Sequence, residues 1–218
     1  MKLTLREWQK IHKNKNNLII NASATDGSDS LNLFPIGLCY HYLKYENTET
    51  QLGNHERLVL CGIQESTDKE RRGTSVQNRS TILKTISSNG IVNKLTDPKS
   101  YYELLPSYKF VVSPEGNGID CHRHYEALMA GCIPIVENSD HIKNIYGNCP
   151  ILYTNNYSEI TPKYLEEKYA EMIDLEYDFS RLFISSYSLA VKHQIQQNSA
   201  FWTRHLRPVK KKNWWSIK

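Results

Sequence analysis

A chain of 218 residues with 39% hydrophobic content can bury one α/β core with a small appendage. Its most apolar stretch, "LNLFPIGLCYHYL", is broken by Pro35, Gly37 and His41. That is well short of the roughly 18 uninterrupted apolar residues of a bilayer-crossing helix, so no membrane span is expected. A formal net charge of +4, with a basic cluster in the closing "RPVKKKNWWSIK", is too small for a nucleic-acid coat and favours local anionic ligands.

In chain order, Thr4 and Glu7 have capping-box spacing and open a short amphipathic helix that ends in the run from Lys13 to Asn17. This opening lacks the apolar middle of a secretory signal. The five cysteines, Cys39, Cys61, Cys121, Cys132 and Cys149, are odd in number and sit mostly in apolar segments, so a reducing, cytoplasmic setting without disulfides is expected. "NLIINAS" reads as a first strand, "ATDGSDS" as its exit loop, and Leu31 to Leu43 as helical after Pro35. From Arg57 the rhythm is regular: strand "RLVLCGI", a polar loop, a helix over Val76 to Ser88, strand "GIVNKL", a helix from Asp97-Pro98 to Leu105, and strand "YKFVVS". A loop then leads to a helix over Cys121 to Ala130, strand "CIPIVE", a short helix capped by Ser139, strand "PILYT", and a helix started by Thr161-Pro162.

Strands that are near-continuous apolar runs, alternating with helices, predict a mainly parallel sheet with helices on both faces, a Rossmann-like layout. Ligands of such sheets bind beyond the carboxyl ends of the strands, where the loops Gln64 to Ser75 and Pro114 to Asp120 both emerge.

The second loop sits in "SPEGNGIDCHRHYEALMAGCIPIV". Gly116 and Gly118 would let the backbone take positive φ and approach a ligand, and the helix that follows would aim free amides at the same space. The loop is then either an anion site or a tight turn with Asp120 as an ordinary N-cap. On the helix, Tyr125, Leu128 and Met129 form the apolar face, His122 and Glu126 its half-buried edge, and Arg123 lies one turn from Glu126 on the solvent side. A carboxylate one turn in could accept bonds from ribose hydroxyls, and Arg123 could neutralise a diphosphate. The plainer alternative is an Arg123/Glu126 surface ion pair.

The run "YKFVVSPEGNGIDCHRHYEALMAGCIPIV" resembles the nucleotide-sugar segment of exostosin-like glycosyltransferases, including those of large DNA viruses: a strand, a Ser-Pro-x-Gly loop, an Arg-x-x-Glu-Ala helix and a Gly-x-Ile-Pro-Val-type strand. The likeness is close over about thirty residues, and the order of elements from Arg57 to about Thr154 is similar to the C-terminal half of a GT-B enzyme. The resemblance implies that Glu126 binds ribose, that Arg123 and the backbone at Asn117 and Gly118 lie near the diphosphate, and that Glu115 or Asp120 faces the sugar. A weaker resemblance, to GT-B fucosyltransferases, rests on Tyr-Lys-Phe, Glu115, Asn117 and an Asn-x-Arg signal that here reads Asn78-Arg79. It would bring Arg79 to the phosphates; a structural role for Arg79 is equally open. Arg71 and Arg72 read as a solvated charge run, and His124 as a solvated side chain.

Asp-x-Asp, the metal-holding motif of GT-A enzymes, is absent, and "DGSD" at Asp26 to Asp29 has the wrong spacing. Cys121, His122 and His124 do not converge as metal ligands would on a helix. No metal and no cofactor is expected. Only about 55 residues precede the donor half, so residues 1–55 are expected as a short acceptor-side layer, 56–205 as the Rossmann-like nucleotide-sugar domain and 206–218 as a basic tail, with a second chain or domain as one way to complete the acceptor groove. The expected activity is a metal-independent glycosyltransferase, half or a minimal version of GT-B, moving a sugar from a nucleoside diphosphate, preferably UDP, to a glycan hydroxyl. Asp26 is the first candidate base and Asp120 the second. The alternatives are a GDP-fucose-type transferase and a catalytically inactive nucleotide- or glycan-binding scaffold.

Overall fold

The computed structural model describes residues 2–11, 36–39, 54–73 and 77–193. Asp26, the expected strand "NLIINAS" and the 206–218 tail lie outside the described residues. The core is a four-stranded, all-parallel sheet of β2 (Arg57–Leu60), β3 (Tyr108–Val112), β4 (Ile133–Glu137) and β5 (Leu152–Thr154), in that spatial order. Val59 pairs with Phe110, Val111 with Pro134 and Ile135 with Leu152. Between the strands run α2 (Lys69–Arg72), α3 (Arg79–Ser88), α4 (Pro98–Leu104), α5 (His122–Met129) and α6 (Asp140–Tyr146), and α7 (Pro162–Met172) follows β5.

Both faces of the sheet are covered, which is why its strands are apolar throughout. Successive strand residues point to opposite faces. Phe110 meets Tyr169 of α7 edge-on at 5.9 Å, and Val111 packs with Ala127 of α5 and Leu105 after α4. The helix starts read from sequence are formed: Asp97 caps α4, Ser139 caps α6, and Thr161 with Pro162 starts α7, while α3 begins at Arg79 rather than near Val76 because Asn78 and Thr81 make a reciprocal capping box there.

At the N-terminus, α1 (Leu5–Ile11) has both arms of its capping box, Thr4 N–H to Glu7 Oε2 at 2.8 Å and Glu7 N–H to Thr4 Oγ1 at 3.1 Å. It follows β1 (Lys2–Thr4), which pairs antiparallel with β6 (Glu176–Asp178), a two-stranded ribbon too short to register as a periodic run. Trp8 of α1 stacks on Phe179 at 4.3 Å and donates its indole N–H to Leu128 O at 2.7 Å. Residues 2–11 therefore share the core of the sheet domain.

Two expected elements differ. "GIVNKL" is not a strand: residues 91–97 are irregular, because the Asn93 side chain takes the place of a ladder, accepting from Ile63 N–H at 2.8 Å and donating to Ile63 O at 3.0 Å. Val92 and Leu95 are left 78% and 61% exposed. Of the expected helix Leu31 to Leu43, residues 36–39 are described and are non-helical, with Gly37 at φ 68° and Leu38 in an isolated bridge.

Candidate functional site

Beyond the carboxyl ends of β3 and β4, the segment from Ser113 to Cys121 crosses the rim of the sheet and delivers α5. Its glycines serve a purpose other than the one expected: neither Gly116 nor Gly118 has positive φ. Gly116 is buried, and a Cβ there would stand 3.0 Å from Arg79 Nη2, so the missing side chain makes room for an arginine rather than for a ligand.

Arg79, expected to project toward phosphates, is buried at the first position of α3. Its Nε donates to Glu115 O at 2.7 Å, Nη2 to Pro114 O at 3.0 Å and Nη1 to Gln64 O at 3.3 Å, while its main-chain N–H donates to Asp68 Oδ2 at 2.8 Å. Burial pulls its pKa below the ordinary value, and Asp68 and Glu137 oppose that. The guanidinium fork is used on the loop's main chain.

The pair dismissed as solvated, Arg71 and Arg72, is instead tied into the same rim. Arg72 bonds Glu137 at 2.8 Å and lies 3.8 Å from Asp68; Arg71 pairs with Glu115 and donates its Nε–H to Gly116 O at 3.1 Å. Glu137 also accepts the Glu115 main-chain N–H at 3.1 Å. Partners 44 and 65 residues away leave no local trace, so periodicity alone could not reveal this network.

Asp120 is neither an N-cap nor a sugar-facing carboxyl. Cys121 occupies the N-cap of α5, without a side-chain bond, and Asp120 is 1% exposed beneath the loop. Its carboxyl accepts from Tyr146 O–H at 2.5 Å, Tyr125 O–H at 3.1 Å and Ile36 N–H at 2.8 Å. His124, expected in solvent, is fully buried beside it, Nε2 against Ser113 O at 3.0 Å and Nδ1 3.5 Å from Asp120. His122 points elsewhere, its Nδ1 at 2.7 Å from Gly37 O. Asp120 and His122 thus pin Ile36 and Gly37 to the start of α5, and the His122 and His124 rings take different partners. The half-buried Cys121 thiol is pushed up to about 12 by desolvation, which makes it a poor nucleophile.

Two members of the expected set, Arg123 and Glu126, meet in one pocket of about 200 Å³, open at one side. Arg123 and Glu126 from α5 form one wall, Tyr101 and Tyr102 with Pro98 from α4 another, and Gly62 and Thr96 the edge beyond β2. Glu126 is 5% exposed, deeper than a helix edge implied, because α4 folds over it and Tyr102 O–H donates to it at 2.8 Å. Arg123 is partly buried rather than on the solvent side, its guanidinium 5.6 Å from the centre of the Tyr101 ring. Burial lowers the Arg123 pKa, but Tyr101 and Glu126 outweigh that and hold it above the ordinary value. Desolvation and the neighbouring Glu126 drive the Tyr102 phenol well up, so it serves as a fixed donor. A carboxylate, a fixed cation and two aromatic rings in one recess suit a polyhydroxylated ring that carries an anionic group.

Of the residues expected at a donor site, Arg123 and Glu126 share this pocket. Glu115, Gly116, Asn117 and Gly118 form the neighbouring rim, where only Asn117 is exposed, with the Cys121 thiol 3.8 Å from both Pro114 O and Gly118 O. Tyr101 and Tyr102 were missed; their adjacency in a helix ahead of β3 gives no signal without the α4 to α5 packing. Comparison with protein-family models and with curated proteins gives no match.

Proposed function

We propose that this chain binds a nucleoside diphosphate sugar, UDP-linked in preference, and transfers the sugar to a glycan hydroxyl without a metal ion. One observation carries the reading: Glu126 and Arg123, the residues to which the resemblance gives ribose and diphosphate, line a single pocket at the first two turns of the helix that follows β3. That is the side of a parallel sheet on which ligands bind. A volume of about 200 Å³ is below the usual range for a complete drug-sized ligand, so it fits the nucleoside end of the donor, with the phosphates passing toward the Glu115 to Gly118 rim.

The test is calorimetric titration of UDP, GDP and uridine, with and without EDTA. Arg123→Ala should weaken UDP by about 1.5 to 3 kcal/mol and leave uridine nearly unchanged, as loss of a charge-assisted bond to phosphate predicts. Arg6, exposed and paired with Asp174 on the outside of α1, is the control. Equal losses at both positions would indicate diffuse attraction and defeat the assignment.

A second reading, a nucleotide- or glycan-binding domain without turnover, is favoured by the fate of one candidate base: Asp120 is committed to internal bonds. Release of UDP from UDP-sugars in the presence of glycan acceptors separates the two readings.

A further inference from the structure

We propose that Arg71 is a binding residue for the phosphoryl oxygens of a diphosphate, and that the Glu115 carboxylate occupies its guanidinium until such an anion displaces it. The proposal rests on the donor reading only for the nucleotide attached to that diphosphate. Glu115 is held in an unusual way. Its main chain is fixed at both ends, the N–H by Glu137 at 3.1 Å and the carbonyl by Arg79 at 2.7 Å. Its carboxylate has one close partner, Arg71, with Arg72 at 3.9 Å. Arg72 keeps its own carboxylate, Glu137, at 2.8 Å, with Asp68 behind it. Rotation of the Glu115 side chain therefore frees Arg71 without disturbing the loop or leaving Arg72 uncompensated.

Arg71 is also the most exposed member of this cluster, its side chain 25% accessible against 10% for Arg72. It already reaches onto the glycine loop through Nε–H to Gly116 O, and its Nη2 is the donor that Glu115 occupies. Carboxylate and phosphate present the same paired acceptor geometry to a guanidinium. The pair is only 25% and 13% accessible, so the guanidinium needs an anionic partner, and a diphosphate brings more charge to the same donors than the carboxylate it replaces.

Calorimetry with sodium pyrophosphate, uridine and UDP on wild type, Glu115→Gln and Arg71→Ala tests this. Glu115→Gln should bind pyrophosphate about tenfold more tightly than wild type, and Arg71→Ala about tenfold or more weakly, with uridine equal in all three. A Glu115→Gln variant that binds no tighter, or an Arg71→Ala variant that binds as well as wild type, overturns the exchange. In wild type, the Arg71 Nε–H resonance, identified by its loss in Arg71→Ala, must shift with pyrophosphate; an unmoved signal at millimolar concentration overturns the proposal independently of how Glu115→Gln folds. UDP binding that depends on Glu126 without the pyrophosphate pattern defeats the exchange alone. The pyrophosphate pattern without any contribution from uridine upholds the anion site and defeats the nucleotide reading.

Discussion

Asp120→Ala is expected to lower the unfolding free energy by about 3 to 5 kcal/mol, the range for breaking a buried polar network by removing its hub. The substitution leaves Ile36 N–H and the Tyr125 and Tyr146 hydroxyls without their acceptor in a region that water does not reach. Each such orphan costs about 1 to 3 kcal/mol, and partial relaxation keeps the sum below three full penalties. Asp120→Asn retains one carbonyl acceptor and should fall between alanine and wild type. Urea unfolding followed by circular dichroism gives the difference. A loss under about 1 kcal/mol would mean that the carboxyl is not the hub its contacts describe.

Arg79→Ala should be nearly as damaging, at about 3 to 4 kcal/mol, for a related reason. The guanidinium satisfies the carbonyls of Gln64, Pro114 and Glu115 at once, tying the strand-exit loops of β2 and β3 together. Arg79→Lys should recover little of this, since a single ammonium cannot present a planar fork to three carbonyls. The same measurement separates the structural role from a phosphate-binding one. A variant that kept wild-type stability but lost diphosphate affinity would return Arg79 to the ligand.

What the sequence makes legible here is whatever depends on neighbours in the chain. Capping at Thr4, Asn78, Asp97, Ser139 and Thr161 is settled within four residues, and the apolar runs of β3 and β4 announce a sheet buried on both faces. "GIVNKL" has strand composition, yet the Asn93 side chain substitutes for ladder bonds, a choice made by the geometry of the β2 exit. The candidate site divides in the same way. Glu126 and Arg123 could be placed on one helix by spacing, but whether that helix edge faced solvent depended on α4, whose Tyr101 and Tyr102 close over it. Charges were the least legible. Asp120, Arg79, Arg71 and Arg72 look alike as polar loop residues, and their different fates depend on partners that include ones 36, 44, 65 and 84 residues distant.

Glu126 gives the most direct test of the nucleotide site. Glu126→Gln preserves the shape of the side chain and a carbonyl to accept from Tyr102, while removing the charge that would strengthen bonds to the ribose hydroxyls. UDP affinity should fall by about 1 to 3 kcal/mol with the melting temperature little changed. The decisive comparison is UDP against 2′,3′-dideoxy-UDP, titrated into wild type and Glu126→Gln. Wild type should prefer UDP and the variant should largely lose that preference; a variant that kept the full preference would show that Glu126 does not read the ribose.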